Sequence, residues 1–149
     1  MKREFTILIA DRNRHVREFL KRELTAEGYQ VRLAKSGQEV LRWIYEKHPL
    51  DLLILDLDLP DGIESGLLQK IENRIPTLPV VLHGFFLDYV DHPSVLSSTV
   101  FVEKRGNSVE QLKKVVLKLL RMSETRLQEI RDDMERLPAE SMEETKLEE

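Results

Sequence analysis

The sequence contains no cysteine among its 149 residues. Disulfide bonds and thiolate metal sites are therefore excluded, and a reducing compartment is compatible with this composition. There is also no run of 18 apolar residues, so no segment is suited to span a membrane. The basic residues near the amino terminus are not followed by the unbroken apolar segment of a signal peptide. We therefore expect a cytoplasmic protein that does not enter a membrane.

Several motifs of enzymes and of nucleic-acid binders are missing as well. The chain has no glycine-rich phosphate loop and no motif of a nucleophilic serine or cysteine. It has no basic stripe with interleaved aromatic residues, the pattern typical of nucleic-acid binding. We therefore expect neither an enzyme nor a nucleic-acid-binding protein.

Charge is unevenly distributed along the chain. The formal net charge is −4, but residues 122–149 hold four basic and ten acidic residues, a net of −6. Residues 1–121 therefore carry +2, because −4 minus −6 is +2. This shift separates a nearly neutral body from an acidic tail. We assign residues 1–122 to one globular domain and residues 123–149 to a helical extension whose acidic end is frayed.

Segments of two kinds alternate along the body. Strand-like segments rich in Ile, Val and Leu occupy residues 5–10, 29–34, 50–56, 78–83 and 99–104. Segments with apolar residues at helical spacing occupy residues 15–28, 36–47, 65–74 and 108–122. Pro93 argues against a regular helix in the ambiguous segment between residues 84 and 98. The alternation predicts an α/β fold, with a five-stranded parallel sheet covered by helices on both faces.

Polar residues lie at the carboxyl ends of four of the predicted strands. They are Asp11, Asp56, His83 and Lys104. In an open parallel sheet, ligands bind beyond the carboxyl ends of the strands, near the point where the strand order reverses. We therefore expect these four residues, distant in sequence, to converge at one edge of the sheet.

The segments that carry these residues are ILIADRN, DLLILDLDLPDG, PVVLHG and FVEK. Their order and spacing resemble the receiver domains of response regulators in bacterial two-component signalling, over roughly residues 4–122. The most specific piece is ILDLDLP, a strand that ends in Asp and is followed by Pro four residues later. The resemblance implies a flavodoxin-like, doubly wound sheet of five parallel strands. It also implies a partner, which is a histidine kinase or phosphotransfer protein, and a downstream protein target.

The resemblance also implies roles for individual residues. Asp56 would accept the phosphoryl group, and Lys104 would stabilise the charge of the transferring oxygens. Mg²⁺ would be held by Asp56, by Asp11 and by the backbone carbonyl of Asp58. The side chains of Asp58 and Asp61 are expected to be solvated loop acids.

Arg12 departs from the pattern of the family, which usually has a second acid after the first strand. With Arg12 directed inward, two carboxylates and two cations would balance, and the pocket would need no metal ion. With Arg12 directed outward, it is an ordinary solvated side chain. The inward alternative predicts weakened Mg²⁺ chemistry, or a state fixed without phosphorylation.

His83 and Phe101 are also unusual for the family. His83 replaces the Ser or Thr that binds the phosphoryl group; as an imidazolium it could bind phosphate, but a polar residue at the pocket rim is the simpler interpretation. Phe101 occupies the position of the switch aromatic residue, and a buried core residue is its simpler interpretation. Lys104 is followed by Arg105 in place of the usual proline.

Apolar residues continue at helical spacing beyond the body, at Leu127, Ile130, Met134 and Leu137. A second copy of the chain could cover this stripe in a symmetric dimer. Alternatively, the helix leads toward an output domain.

Three functions compete on this basis. The first is a receiver module that is phosphorylated on Asp56 with weakened Mg²⁺ dependence. The second is a pseudo-receiver that acts through protein interaction or dimerisation alone. A small hydrolase or flavin protein on the same fold is disfavoured, because its motifs are missing.

Overall fold

The computed structural model describes residues 4–46, 49–62, 66–74, 77–85, 99–106 and 108–136. The segment around Pro93, where we expect no regular helix, lies outside the described residues, as does Leu137. Strands and helices alternate in the described chain in the order β1 Thr6–Ala10, α1 Arg14–Ala26, β2 Gln30–Ala34, α2 Gly37–Tyr45, β3 Leu52–Leu55, α3 Leu67–Glu72, β4 Val80–Gly84, β5 Thr99–Glu103 and α4 Ser108–Glu135.

The five strands form one parallel sheet in the order β2-β1-β3-β4-β5. This is the flavodoxin-like order, so the predicted fold class is confirmed. Every residue of β1 and β3 is buried, which explains why these central strands are continuous apolar runs and do not alternate. The reversal of strand order between β1 and β3 places their carboxyl ends at the expected binding edge.

Helices cover both faces of the sheet. On one face, α2 and α3 bury Val40, Leu41, Leu67 and Ile71 against the sheet. On the other face, α1 and α4 bury Leu20, Leu24, Leu112, Val116 and Leu120. Each face therefore has its own apolar core, and the two cores hold the sheet rigid between them.

The start of α2 is fixed by side chains from two places. Ser36 accepts a hydrogen bond from the backbone N–H of Glu39, and the Glu39 carboxylate accepts one from the backbone N–H of Lys35, an arrangement close to a capping box. Asp61, from the loop after β3, accepts hydrogen bonds from the backbone N–H groups of Gly37 at 2.8 Å and Gln38 at 3.3 Å. Asp61 is thus not the solvated loop acid that we expected, because it satisfies donors that the first turn of a helix leaves free.

Helix α4 continues well beyond the body, so the extended C-terminal helix is confirmed. Leu112, Val116 and Leu120 are its buried residues, and most residues from Arg121 to Arg136 are exposed. The helix starts beside the carboxyl ends of the strands, where Ser108 contacts His83. Farther along α4, Arg121 lies near Tyr29, the residue directly before β2. The extension therefore leaves the body at the opposite edge of the sheet. In the described part of the chain, no helix combines the length and apolarity needed to cross a bilayer.

Candidate functional site

Three charged side chains meet at the carboxyl edge of the sheet. Asp11 follows β1, Asp56 follows β3 and Lys104 follows β5. The Lys104 Nζ atom lies 2.7 Å from Asp11 Oδ2 and 3.5 Å from Asp56 Oδ2. Both carboxylates are buried, and the lysine is nearly so. The sheet therefore brings together residues that are almost a hundred positions apart in sequence, as their places at strand ends predict.

Hydrogen bonds orient each carboxylate toward the lysine. Asp11 Oδ1 accepts from the backbone N–H of Asn13 at 2.8 Å, and Asp56 Oδ1 accepts from that of Asp58 at 3.0 Å. The second oxygen of each acid is then left to face Lys104. The loop backbone thus supplies each buried carboxylate with a hydrogen-bond partner.

Arg12 lies on the surface and does not enter this cluster. Its guanidinium pairs with Asp58 Oδ2 at 3.1 Å and is 61% exposed. The outward alternative for Arg12 is therefore the one found, and the inward interpretation, in which Arg12 replaces the metal charge, is not supported. The physical reason is the side chain of Asp58, which offers a hydrated partner and spares the guanidinium the cost of desolvation.

The charge of the cluster follows from these positions. Two carboxylates, Asp11 and Asp56, face one ammonium group, Lys104, so the buried cluster carries a net charge of −1. A phosphoryl donor brings further negative charge, and Lys104 is the cation of the cluster that can meet it.

The donor set fits a resident Mg²⁺ poorly. Mg²⁺ prefers near-octahedral oxygen coordination, whereas the cluster supplies two carboxylates that both already contact Lys104. Among the described residues, no group of three His, Asp or Glu side chains is placed to hold a metal ion. Mg²⁺ coordination by Asp11, Asp56 and the carbonyl of Asp58 therefore stays a prediction.

His83 is the second-last residue of β4 and is buried beside the cluster. Its Nε2 atom lies 3.1 Å from the hydroxyl of Ser108, and its buried Nδ1 atom has no hydrogen-bond partner among the residues that the structure describes. Burial and the nearby Lys104 lower the pKa of His83 from 6.5 to about 4, although Asp56 acts in the opposite direction. At neutral pH the ring is uncharged, so an imidazolium that binds phosphate is not supported. The simpler interpretation, a polar residue that bonds a neighbour, describes its position better.

Two aromatic residues flank this edge of the sheet. Phe101 is partly buried in β5 and packs against the core on the α2 and α3 face, which agrees with its simpler interpretation. Phe85, directly after β4, is exposed, and its ring centroid lies 6.0 Å from Lys104 Nζ. Sequence reasoning missed Phe85, although its place just after a strand end was a usable signal.

The pattern of the family described as "Response regulator receiver domain" matches residues 7–116. This span covers most of the chain and contains the whole charged cluster. The chain belongs to this family. The receiver resemblance seen in the sequence is thereby confirmed, and with it the assignment to two-component response regulators.

Relatives of this receiver domain are longer proteins. Response regulator RR06 of Streptococcus pneumoniae (serotype 2, strain D39) is 40% identical over 76 residues, which are 51% of this chain and 34% of that protein. The probable transcriptional regulator ycf27 of Cyanidium caldarium is 33% identical over 90 residues, which are 60% of this chain and 35% of that protein. The chain therefore spans about a third of the length of these relatives.

A receiver structure shows the same architecture. The crystal structure of a CheY-like response regulator receiver domain protein from Methanospirillum hungatei JF-1 superposes with a TM-score of 0.67 at 25% identity. The match covers 83% of this chain and 99% of that one. Nearly the whole of that receiver domain therefore has a counterpart within this chain.

Proposed function

We propose that this receiver domain accepts a phosphoryl group on Asp56. The observation that carries the proposal is the contact between Asp56 Oδ2 and Lys104 Nζ at the carboxyl edge of the sheet. A buried carboxylate held by the backbone and faced by an ammonium group is a suitable acceptor. The partner that supplies the phosphoryl group is a histidine kinase or a phosphotransfer protein, and a further protein reads the result.

The transfer is a displacement at phosphorus. Asp56 Oδ2 attacks the phosphorus of a phosphohistidine, a new O–P bond forms, and the N–P bond to the donor imidazole breaks. The imidazole leaves with the electron pair of that bond. Lys104, 2.7 Å from Asp11 and 3.5 Å from Asp56, moves toward the phosphoryl oxygens, whose charge it stabilises. Asp11 holds Lys104 at the edge and so positions it.

We propose further that Mg²⁺ contributes weakly to this transfer. The support is the donor set: both buried carboxylates already contact Lys104, and position 12, beside Asp11, supplies no third carboxylate. Arg12→Asp supplies a third carboxylate at this edge, beside Asp11. We expect Arg12→Asp to bind Mg²⁺ at least about tenfold more tightly, by the gain of a charged oxygen ligand. Titration calorimetry that gives equal affinities for both proteins would contradict this role of Arg12.

Labelling of the full chain with radioactive acetyl phosphate or a phosphorylated kinase tests the proposal. We expect label on the wild-type protein that hydroxylamine or base releases, as from an acyl phosphate, with only a modest increase on addition of Mg²⁺, and none on Asp56→Asn. Asp58→Asn is the matched control, since it changes a neighbouring exposed carboxylate and leaves Asp56 in place. Label that survives in Asp56→Asn would overturn the assignment of the acceptor.

The second candidate is a receiver that acts without phosphorylation, as an interaction module. Two observations favour it. Both buried acids already contact Lys104, and no third acid stands beside them at position 12. In addition, α4 exposes several apolar residues. A wild-type chain that takes no label from any phosphodonor, with or without Mg²⁺, would select this candidate over the first.

A further inference from the structure

The extension of α4 carries an exposed apolar stripe, which consists of Leu127, Ile130 and Met134. Their exposed fractions are 44%, 50% and 63%. The buried residues of the same helix are Leu112, Val116 and Leu120. At 100° per residue, the mean direction of the stripe lies within about 10° of the mean direction of these buried residues. The stripe is thus the continuation, past the edge of the body, of the face that packs on the sheet.

We propose that this stripe binds the stripe of a second copy of the chain, with the two helices antiparallel. The proposal deepens the interaction role given above as the second candidate. Leu127 lies seven residues after the buried Leu120, and Met134 lies seven residues after Leu127. Ile130 lies between the last two, so the spacing is that of a coiled-coil seam. In the antiparallel pair, Leu127 packs on Ile130 of the second copy, and Met134 packs beside Ser123.

Charges on both sides of the stripe favour the antiparallel arrangement. Glu124 and Arg131 line one side, and Arg126 and Asp133 line the other. When the second helix is turned end to end, each side meets the same side of the second copy. Glu124 then lies opposite the second copy's Arg131, and Arg126 lies opposite its Asp133. Because the pair is symmetric, each attraction occurs twice.

A parallel pair is disfavoured for two independent reasons. In that arrangement each side meets the opposite side of the second copy, which places Arg126 next to the second copy's Arg131. In addition, the stripe faces the same direction as Val116 and Leu120, which pack on the sheet. A parallel helix would run back along this direction, about 10 Å away, into the space of the sheet itself. In the antiparallel arrangement the two bodies lie at opposite ends of the helix pair, so the second helix does not run along the sheet of the first copy.

Charge variants of the full chain distinguish the two arrangements. Sedimentation equilibrium should show a monomer–dimer equilibrium for the wild-type protein. Arg131→Glu should raise the dissociation constant about tenfold, since two attractions become repulsions, and the double variant Glu124→Arg/Arg131→Glu should restore it. Asp132→Arg, which alters charge on the opposite side of the helix, is the control and should leave it unchanged. A parallel pair predicts the reverse for Arg131→Glu, namely a tighter dimer.

Disulfide trapping gives a second readout, because the chain has no cysteine of its own. A mixture of Ser123→Cys and Met134→Cys chains should form a disulfide between the two variants under mild oxidation. Each variant alone should cross-link far less. Efficient cross-linking of Met134→Cys with itself would show a parallel pair and overturn the proposal.

A chain that sediments as a monomer at every concentration would also overturn the proposal. This outcome is distinguishable from failure of the acceptor chemistry. The charge variants lie at the far end of α4 from Asp56, so each should accept label from acetyl phosphate as the wild-type protein does.

Discussion

Lys104 is the residue on which the charge of the site depends. It contacts two buried carboxylates, so its removal leaves two charges uncompensated in the protein interior. We expect Lys104→Met to lower the free energy of unfolding by about 3 kcal/mol at pH 7. Asp56→Asn should have the opposite effect and raise it by about 1 kcal/mol, because it removes the repulsion from Asp11 and retains an oxygen for the N–H of Asp58.

Urea denaturation of both variants measures these changes. The comparison is internally controlled, since each variant removes one charge from the same cluster. Equal destabilisation by Lys104→Met and Asp56→Asn would show that the net charge of the cluster does not govern its stability.

His83 makes stability depend on pH in a defined window. Its pKa is about 4 in the folded protein and 6.5 in the unfolded chain. Between these values the unfolded chain binds a proton that the folded protein does not, so stability falls as the pH is lowered from 6.5 toward 4. The largest slope from one such group is roughly 1.4 kcal/mol per pH unit.

Urea titrations at several pH values, for the wild-type protein and for His83→Gln, test this dependence. Glutamine does not titrate, and its amide can reach the hydroxyl of Ser108. We expect His83→Gln to lose less stability between pH 6.5 and pH 4.5 than the wild-type protein. Parallel pH profiles for the two proteins would mean that His83 retains an ordinary pKa after folding.

At the scale of elements, the loop after β3 fixes the start of α2, a helix that precedes it in the sequence. Asp61 accepts from two backbone donors at the start of α2 and has a positive φ of 60°. We expect Asp61→Ala to lower the free energy of unfolding by about 2 kcal/mol, since it removes both hydrogen bonds and leaves a strained backbone. Asp61→Asn should cost less than half as much, because asparagine tolerates this φ and keeps one acceptor.

Thermal and urea unfolding of the two Asp61 variants provide the measurement. The exposed Asp58, in the same loop, supplies a control in Asp58→Ala, which removes only the surface ion pair with Arg12. If Asp58→Ala were as destabilising as Asp61→Ala, the bonds to α2 would not be the cause.

Most of the fold could be predicted from the sequence, and so could the meeting of three site residues. The strands are short apolar runs that end in Asp11, Asp56 and Lys104, and a parallel sheet fixes where such ends lie. Neither the orientation of Arg12 nor the role of Asp61 could be predicted. Each depends on a loop partner distant in sequence, Asp58 for the first and the start of α2 for the second, and no spacing rule links such partners.

The environment of His83 could not be predicted from the sequence, for a related reason. Its residue type suggested a charge near neutral pH, whereas burial and the neighbouring Lys104 decide its protonation. The contact between His83 and the hydroxyl of Ser108, the first residue of α4, was likewise not predicted. Both outcomes follow from how β4 and α4 approach each other.

At the scale of the whole molecule, α4 consists of two halves with different surroundings. The first half buries Leu112, Val116 and Leu120, whereas the second half has no described buried residue. At concentrations low enough to keep the chain monomeric, we expect backbone amides of residues 123–136 to exchange with solvent at least about a hundredfold faster than those of residues 112–120. Hydrogen exchange followed by mass spectrometry measures both halves in one experiment, and uniform protection along α4 would contradict this division.

Helix α4 runs without interruption from Ser108, which contacts His83 beside the charged cluster, to Glu135, past the far edge of the sheet. Its 28 residues make a rod about 42 Å long, so a tilt of about 5° at the start displaces the far end by about 4 Å. A small rotation of the helix at Ser108 therefore becomes a larger displacement at Glu135, because the helix is continuous between the two residues. A change beside the charged cluster can thus move the surface at the opposite edge of the sheet.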